Sequence, residues 1–260
     1  MGLKKNIKDF KRLRDIIIVG LEEGLGYYLA KYKLRSNLPF LRRLTPAFPL
    51  SNRKKQAICL RRAFERLGPT FVKLGQLLSL RPDLVPEEYS EEFRKLQDTV
   101  PAFAFSKVKE IVEDGLGGTI NKHFRSFSKK PIASASIAQV HKAVLKSGKT
   151  VAVKVQRPNI REKIDSDLDI LFYIAEKLEK NSEASLYRPL DVVKEFALWT
   201  RRELDFTIEA KSAARLREEM RKNPRVYVPK VYTKYSSSKI LTLEFVNGKK
   251  LDDLISLRGD

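Results

Sequence analysis

Lys154 stands in a short strand pattern whose other residues are small or β-branched, an arrangement that can hold a polyphosphate. Because side chains alternate along a strand, Val151, Val153 and Val155 point to one face and Ala152 and Lys154 to the other. The small Ala152 leaves room for a flat base, while the ammonium group of Lys154 can reach phosphate oxygens. The pattern therefore indicates a nucleotide-binding face.

A loop that lies one strand earlier in the chain has the composition of a phosphate-binding loop. It reads Ala133, Ser134, Ala135 and Ser136, four small side chains in a row. Backbone N–H groups can approach a polyphosphate closely where side chains are this small, and the two hydroxyls can donate further hydrogen bonds. The same run is also compatible with tight packing alone, and the sequence leaves both interpretations open.

A lysine in a closed site needs an acidic partner, because an unpaired ammonium group there is costly or loses its proton. A helical pattern from about residue 188 to 221 supplies three carboxylates, Glu203, Asp205 and Glu209. Asp205 and Glu209 are four residues apart on one helical face, whereas Glu203 lies nearly opposite Asp205 unless the helix starts or bends there. A solvated charged helix is the alternative interpretation.

A β-hairpin is the simplest element that positions Lys154. A strand at 139–145 precedes it, and the turn at 146–149 contains Gly148, a residue that adopts positive φ readily. Turn and cap residues predict the other elements, with Trp199 expected in the core. The predicted strands lie at 226–232 and 239–246. One predicted helix is capped by Ser51 and ends at Leu67, and the next starts at Thr70. Further helices are predicted after Pro86, from about Ser106, and over 160–179.

The motifs, taken in chain order, resemble the UbiB family of atypical protein-kinase-like proteins. The segments that carry the resemblance are Lys73 to Gln76 (KLGQ), the alanine loop with SIAQVH, VAVK, Glu203 to Ala210 (ELDFTIEA), and LEFVNG at 243–248. The resemblance implies an α+β chain with a kinase-like small lobe, built from an antiparallel sheet with helices, preceded by a helical N-terminal extension. The implied domains are the extension at 1–125, the small lobe at 126–246, and a hinge with the start of a large lobe at 247–260.

The resemblance also implies roles for the nucleotide-site residues. Lys154 would contact the phosphates of ATP or ADP with Glu209 as its ion-pair partner, and the alanine loop would cover those phosphates. Glu244 and Val246 would present hinge backbone groups to the adenine, with Leu243 behind them and Ala152 above. Lys73 and Gln76 would meet Glu203 and Asp205 and gate the site. Mg²⁺ is expected for a complete family member.

The acids of a kinase-like large lobe do not follow the hinge. No catalytic Asp with a nearby Asn, and no Asp before Phe-Gly, occurs before Asp260. We therefore expect no large lobe and no metal ligand within the chain; an adjacent gene is one source that could supply the lobe. The resemblance implies an ATPase or small-molecule kinase-like regulator of isoprenoid quinone biosynthesis. The alternative is a truncated or split interaction module that binds a membrane or partner protein without catalysis.

The charge of the chain predicts a polyanionic partner. The net charge is +20, and the first 62 residues hold 16 basic and 4 acidic side chains. An anionic membrane surface or quinone-biosynthesis proteins fit this asymmetry; nucleic acid is disfavoured because the basic residues are not interleaved with an aromatic platform. No apolar run reaches the roughly 20 residues of a membrane span, and no signal peptide is visible. We expect a cytoplasmic protein, free or peripheral at the inner membrane.

Overall fold

The structure, a computed structural model, describes residues 7–34, 52–97 and 100–249. The chain forms two compact units. The first contains residues up to 100 together with 135–137 and 159–202, and the second contains 101–134, 138–158 and the residues from 203 onward. The predicted domain boundaries near 125 and 246 stay a prediction.

The first unit is helical. Apolar residues at helical spacing and turn residues between them produce its elements. They are α1 (Ile7–Glu22), α2 (Gly26–Lys31), α3 (Arg53–Leu67), α4 (Pro69–Ser79), α5 (Glu87–Phe93), α8 (Ile160–Glu179), α9 (Ser182–Ser185) and α10 (Pro189–Glu203). No helix in the described ranges is long and apolar enough to cross a bilayer.

The second unit is a small antiparallel sheet with helices. Its elements are α6 (Phe105–Leu116), α7 (Ile120–His123), β1 (Phe124–Phe127), β2 (Ala133–Ser134), β3 (Ala138–Leu145), β4 (Thr150–Gln156), α11 (Phe206–Glu219) and β5 (Ile240–Glu244). The strands lie in the order β1-β3-β4-β5, with β2 paired to β3. The predicted hairpin of β3 and β4 is confirmed.

The two faces of this sheet differ, as the alternation in β4 predicts. Val151, Val153 and Val155 are fully buried and form one core with Val108 and Val112 of α6. Ala152 and Lys154, on the other face, are only partly buried. The buried valines fix the register of the sheet, because a slip of one residue would expose all three.

A buried charge holds three helices of the first unit together. The side chain of Asp167 in α8 is completely buried and accepts hydrogen bonds from Arg12 Nε at 2.6 Å and Thr70 Oγ1 at 2.6 Å. Arg12, in α1, also donates to the carbonyl of Leu67 at 2.7 Å. The carboxylate is therefore paired and hydrogen-bonded, which is the condition under which a buried charge is tolerated.

Gly75 lets α4 pack closely against its neighbours. A Cβ at this position would lie 2.3 Å from Leu96 Cδ1 and 2.9 Å from Phe64 Cδ2. We expect Gly75→Ala to lower the free energy of unfolding by about 1–3 kcal/mol, the usual cost of overpacking. Urea denaturation measures this, with Gly248→Ala as the control because a Cβ there meets nothing within 4 Å. Equal stability of the two variants would contradict the account.

His141 makes the stability of the sheet sensitive to acid. Its ring is fully buried on β3, with Nδ1 2.8 Å from the carbonyl oxygen of Ser128 and Nε2 2.9 Å from the Gln139 amide nitrogen. Burial lowers the pKa of His141 and outweighs the opposite effect of the hydrogen bond to the Ser128 carbonyl, so the folded-state pKa lies below the usual 6.5.

Because the unfolded chain then binds the proton more readily, the contribution of His141 to stability is present above about pH 6.5 and is lost as the pH falls through the lowered folded pKa. We expect the free energy of unfolding to fall more steeply between pH 7.5 and 5.5 in the wild type than in His141→Gln. Urea denaturation at both pH values checks this. Parallel slopes would show that the residue does not carry the effect.

Four expectations fail or need revision. The segment 226–232 is not a strand; only Val231 forms an isolated bridge, to Leu243. The predicted helix at 188–221 is two helices, α10 and α11. Trp199 is 56% exposed and is not a core residue. Ser51 lies outside the described residues, and the α3 N-cap is Asn52, whose side chain accepts from Lys54 N.

Candidate functional site

The ion pair between Lys154 and Glu209 is the centre of the candidate site. Lys154 Nζ on β4 lies 2.8 Å from Glu209 Oε2 on α11, and 4.7 Å from the ring centroid of Phe206. The two charged side chains are 27% and 45% exposed. Such an exposed pair contributes only about 0–1 kcal/mol to stability. Its main physical effect is to hold the ammonium group in one place on the sheet.

The sheet register places small and apolar residues beside this ammonium group. Ala152 lies directly opposite Leu243 of β5, so both are on the same face as Lys154. Val140 of β3 lies directly opposite Lys154 and shares that face. Sequence reasoning missed Val140, although the period-two alternation of the hairpin contained the information once the register was known.

The four residues of the alanine loop are in different situations. Ala133 and Ser134 form β2, paired with β3. The hydroxyl oxygen of Ser134 accepts a hydrogen bond from Arg157 Nη2 at 2.8 Å, which leaves its own O–H available as a donor. Ala135 and Ser136 follow β2, and Ser136 is 1% exposed. Sequence reasoning also missed Arg157, which is separated from this loop by the whole hairpin.

The acidic motif lies at a helix break. Glu203 is the last residue of α10, and Asp205 is the N-cap of α11, accepting from Thr207 N at 3.0 Å and Thr207 Oγ1 at 2.7 Å. An N-cap carboxylate satisfies an otherwise unpaired N–H group of the first turn. The helix start that the sequence left open as an alternative is therefore found here, and Asp205 precedes the helix whose first turn carries Glu209.

The KLGQ residues lie on α4 in the first unit. Gln76 Nε2 donates to the backbone carbonyl of Leu96 at 3.2 Å, and Ser79 Oγ donates to the carbonyl of Gln76. The absence of a side chain at Gly75 leaves room for the Leu96 side chain, and Gln76 makes a hydrogen bond to the Leu96 backbone. The pairing of Lys73 and Gln76 with the acidic motif stays a prediction.

The hinge segment begins at the end of β5. The carboxylate of Glu244 accepts from the Tyr227 hydroxyl at 2.6 Å and from the backbone N–H of Lys230 at 3.1 Å. These two hydrogen bonds, the first being the larger cause, lower the pKa of Glu244. The same contact raises the pKa of Tyr227. Val246, two residues further on, is 48% exposed.

The described residues contain no cluster of three His, Cys, Asp or Glu side chains that could hold a metal ion. We therefore assign no Mg²⁺ ligands to this part of the chain and derive no chemical step through the metal. The groups that the site does offer are an ammonium group, a serine hydroxyl and uncharged side chains.

Comparison with known proteins agrees with this architecture. The chain is 45% identical over 207 residues to ACTIVITY OF BC1 COMPLEX KINASE 7, a chloroplastic protein of Arabidopsis thaliana, covering 80% of this chain and 30% of that one. It is 36% identical over 260 residues to the probable protein kinase UbiB of Histophilus somni, covering 97% of this chain and 47% of that one. The chain thus spans about a third to a half of these relatives.

A solved structure is also similar: Rv3197 of Mycobacterium tuberculosis, in complex with erythromycin. It is 31% identical with a TM-score of 0.50, over 72% of this chain and 46% of that one. The predicted helix-rich α+β fold with a small antiparallel sheet of the kinase-like type is confirmed.

The family model of the ABC1 atypical kinase-like domain matches residues 95–259, which is more than half of the chain. The chain therefore belongs to the UbiB family of ABC1 atypical kinase-like proteins.

Proposed function

We propose that the second unit binds ATP or ADP on the sheet face that carries Lys154. The observation that supports this most is the 2.8 Å ion pair between Lys154 and Glu209 on a face that also carries Ala152, Leu243 and Val140. The pair holds an ammonium group beside these uncharged side chains. A nucleotide has the matching chemistry, with an anionic end and a flat apolar end.

Each end of the nucleotide would meet different groups. The ammonium group of Lys154 would contact phosphate oxygens, while Glu209 keeps it from turning toward solvent. Ala133 and Ser134 of the alanine loop would cover the phosphates, with the Ser134 hydroxyl as a donor. Placement of this kind is the main protein contribution in phosphoryl transfer, which depends on positioning and charge stabilisation.

The adenine would lie between the apolar face and the hinge. Ala152 and Leu243 are cross-strand neighbours and would contact the flat surface of the base. The backbone groups of Glu244 and Val246 would make the hydrogen bonds that distinguish adenine from other bases. In this arrangement apolar side chains match the flat surface of the base and backbone polar groups recognise its edge, which is usual in small-molecule sites.

A thermal unfolding series tests nucleotide binding. A ligand that binds only the folded state stabilises it by RT ln(1 + [L]/Kd), so ADP or ATP with Mg²⁺ should raise the Tm of the purified chain in a concentration-dependent way. GTP and CTP serve as base controls and should raise it less. If adenine nucleotides gave no shift at concentrations up to several millimolar, the proposal would be rejected in favour of a non-catalytic interaction module.

The activity of the whole protein is part of the same proposal. We infer an ATPase or small-molecule kinase-like role in isoprenoid quinone biosynthesis, at the inner membrane or with proteins of that pathway. The support is the similarity to the UbiB relatives, at 36–42% identity. Expression of the whole gene in a bacterium that lacks its own UbiB protein should restore its ubiquinone content. Unchanged quinone content would reject the pathway while leaving nucleotide binding intact.

A further inference from the structure

The end of β5 is held by contacts that the family resemblance does not assign. Both carboxylate oxygens of Glu244 are used, Oε1 by the Tyr227 hydroxyl at 2.6 Å and Oε2 by the backbone N–H of Lys230 at 3.1 Å. The backbone N–H of Glu244 donates in turn to the carbonyl of Lys230 at 2.8 Å. Glu244 is therefore fixed through its main chain and its side chain together.

Tyr227 and the residue after it are contacted by Arg217. The guanidinium carbon of Arg217 lies 5.6 Å from the centroid of the Tyr227 ring, and Arg217 Nη1 donates to the carbonyl of Val228. Arg217 belongs to α11, the helix that also carries Glu209. A cation–π contact and a charge-assisted hydrogen bond thus connect this helix with the segment that contains Tyr227.

The next hinge residue is also restrained. Phe245 N donates to the carbonyl of Thr150 at 3.3 Å, and Lys142 Nζ lies 4.7 Å from the centroid of the Phe245 ring. Glu244 lies opposite Val151 in the β4–β5 ladder, so its side chain is on the other sheet face from Leu243. The carboxylate consequently stays away from the nucleotide face.

We propose that Tyr227 is a positioning residue for base recognition: by holding the Glu244 side chain it sets the orientation of the hinge backbone toward adenine. This inference rests on the proposed nucleotide function. The alternative is a surface hydrogen bond with a structural effect alone, since Tyr227 is 60% exposed. A positioning role and a purely structural role can be separated, because the proposed phosphate contact is at Lys154, whereas the hinge follows Glu244, which lies opposite Val151 in β4.

The test compares a ligand with a base and one without. Calorimetric titration of the full chain with ADP, and separately with tripolyphosphate, gives a Kd for each in wild type and in Tyr227→Phe. We expect Tyr227→Phe to raise the Kd for ADP by about five- to tenfold, the effect of about one net hydrogen bond, and to leave the Kd for tripolyphosphate unchanged. Tyr187→Phe, at a tyrosine 49% exposed in the first unit, should change neither.

A second variant guards against misfolding. Glu244→Gln retains one acceptor oxygen, so it can keep either the Tyr227 or the Lys230 hydrogen bond, and its Kd for ADP should lie between wild type and Tyr227→Phe. Equal rises for ADP and tripolyphosphate, or no rise for ADP, would overturn the positioning role while the nucleotide site stands. If the wild type bound neither ADP nor tripolyphosphate, the proposed function itself would fail. That result differs from equal rises in the two Kd values and from an unchanged Kd for ADP.

Discussion

Lys154→Met is expected to raise the Kd for ADP about a hundredfold, because it removes the charge-assisted contact that the pair with Glu209 positions. Lys142 shares this sheet face, but its ammonium group lies over the Phe245 ring. Methionine keeps the length and most of the apolar stem of lysine, so the packing on the Phe206 ring survives while the charge is lost. Equilibrium titration at fixed ionic strength measures the change. Circular dichroism of the variant verifies that the sheet is folded.

The matched control is Lys146→Met, which removes the same charge from the exposed turn between β3 and β4. Its effect should stay within a factor of two, since a general electrostatic attraction is screened by salt. Glu209→Gln should raise the Kd about tenfold, because the amide can still accept from Lys154 but no longer pairs with its charge. Equal losses in the Lys154 and Lys146 variants would mean that net charge, and not a site, attracts the nucleotide.

Arg12→Ala is expected to lower the free energy of unfolding by about 3–5 kcal/mol, the usual cost of leaving a buried charge unpaired. The variant removes the Nε donor at 2.6 Å and leaves the buried Asp167 carboxylate with the Thr70 hydroxyl. It also frees the carbonyl of Leu67 at the end of α3. Urea denaturation followed by circular dichroism measures the loss.

Arg14→Ala, two residues further along α1, is the control for this prediction. Arg14 pairs with Asp15 at 2.9 Å, but both side chains are about 40% exposed, so the loss should be below about 1 kcal/mol. Arg12→Lys should fall between the two because it restores the charge but not the fork of donors. A loss for Arg12→Ala as small as for Arg14→Ala would contradict the role of the buried pair.

The hairpin and its two faces could be predicted from the sequence because their signals are local. Strict alternation around Lys154 and a glycine turn specify a strand pair without any knowledge of the rest of the chain. The buried state of Val151, Val153 and Val155 and the part exposure of Ala152 and Lys154 agree with that alternation. The contact of Lys154 with Glu209, 55 residues away, came from the family resemblance; local pattern alone did not identify which acid was the partner.

The failures share a physical cause. Where the local sequence is compatible with two structures, tertiary contacts decide which of them forms. Asp205 is compatible with a helix interior and with an N-cap, and the hydrogen bonds to Thr207 select the cap. Trp199 is apolar, but it lies off the stripe of α10 that packing buries at Val193, Phe196 and Thr200, and its side chain is exposed. The close approach at Gly75 and the hinge contact of Tyr227 depend on residues distant in sequence, so spacing could not reveal them.

The central claim is that a nucleotide lies on the Lys154 face of the sheet, and methyl NMR during an ADP titration tests it most directly. We expect saturable shifts of the methyl signals of Ala152, Leu243 and Val140, whose side chains lie on that face. The methyl signals of Val153, on the opposite face and fully buried, should move much less. Saturable shifts confined to the Val153 face or to the helical unit, or no shifts at all, would contradict the account.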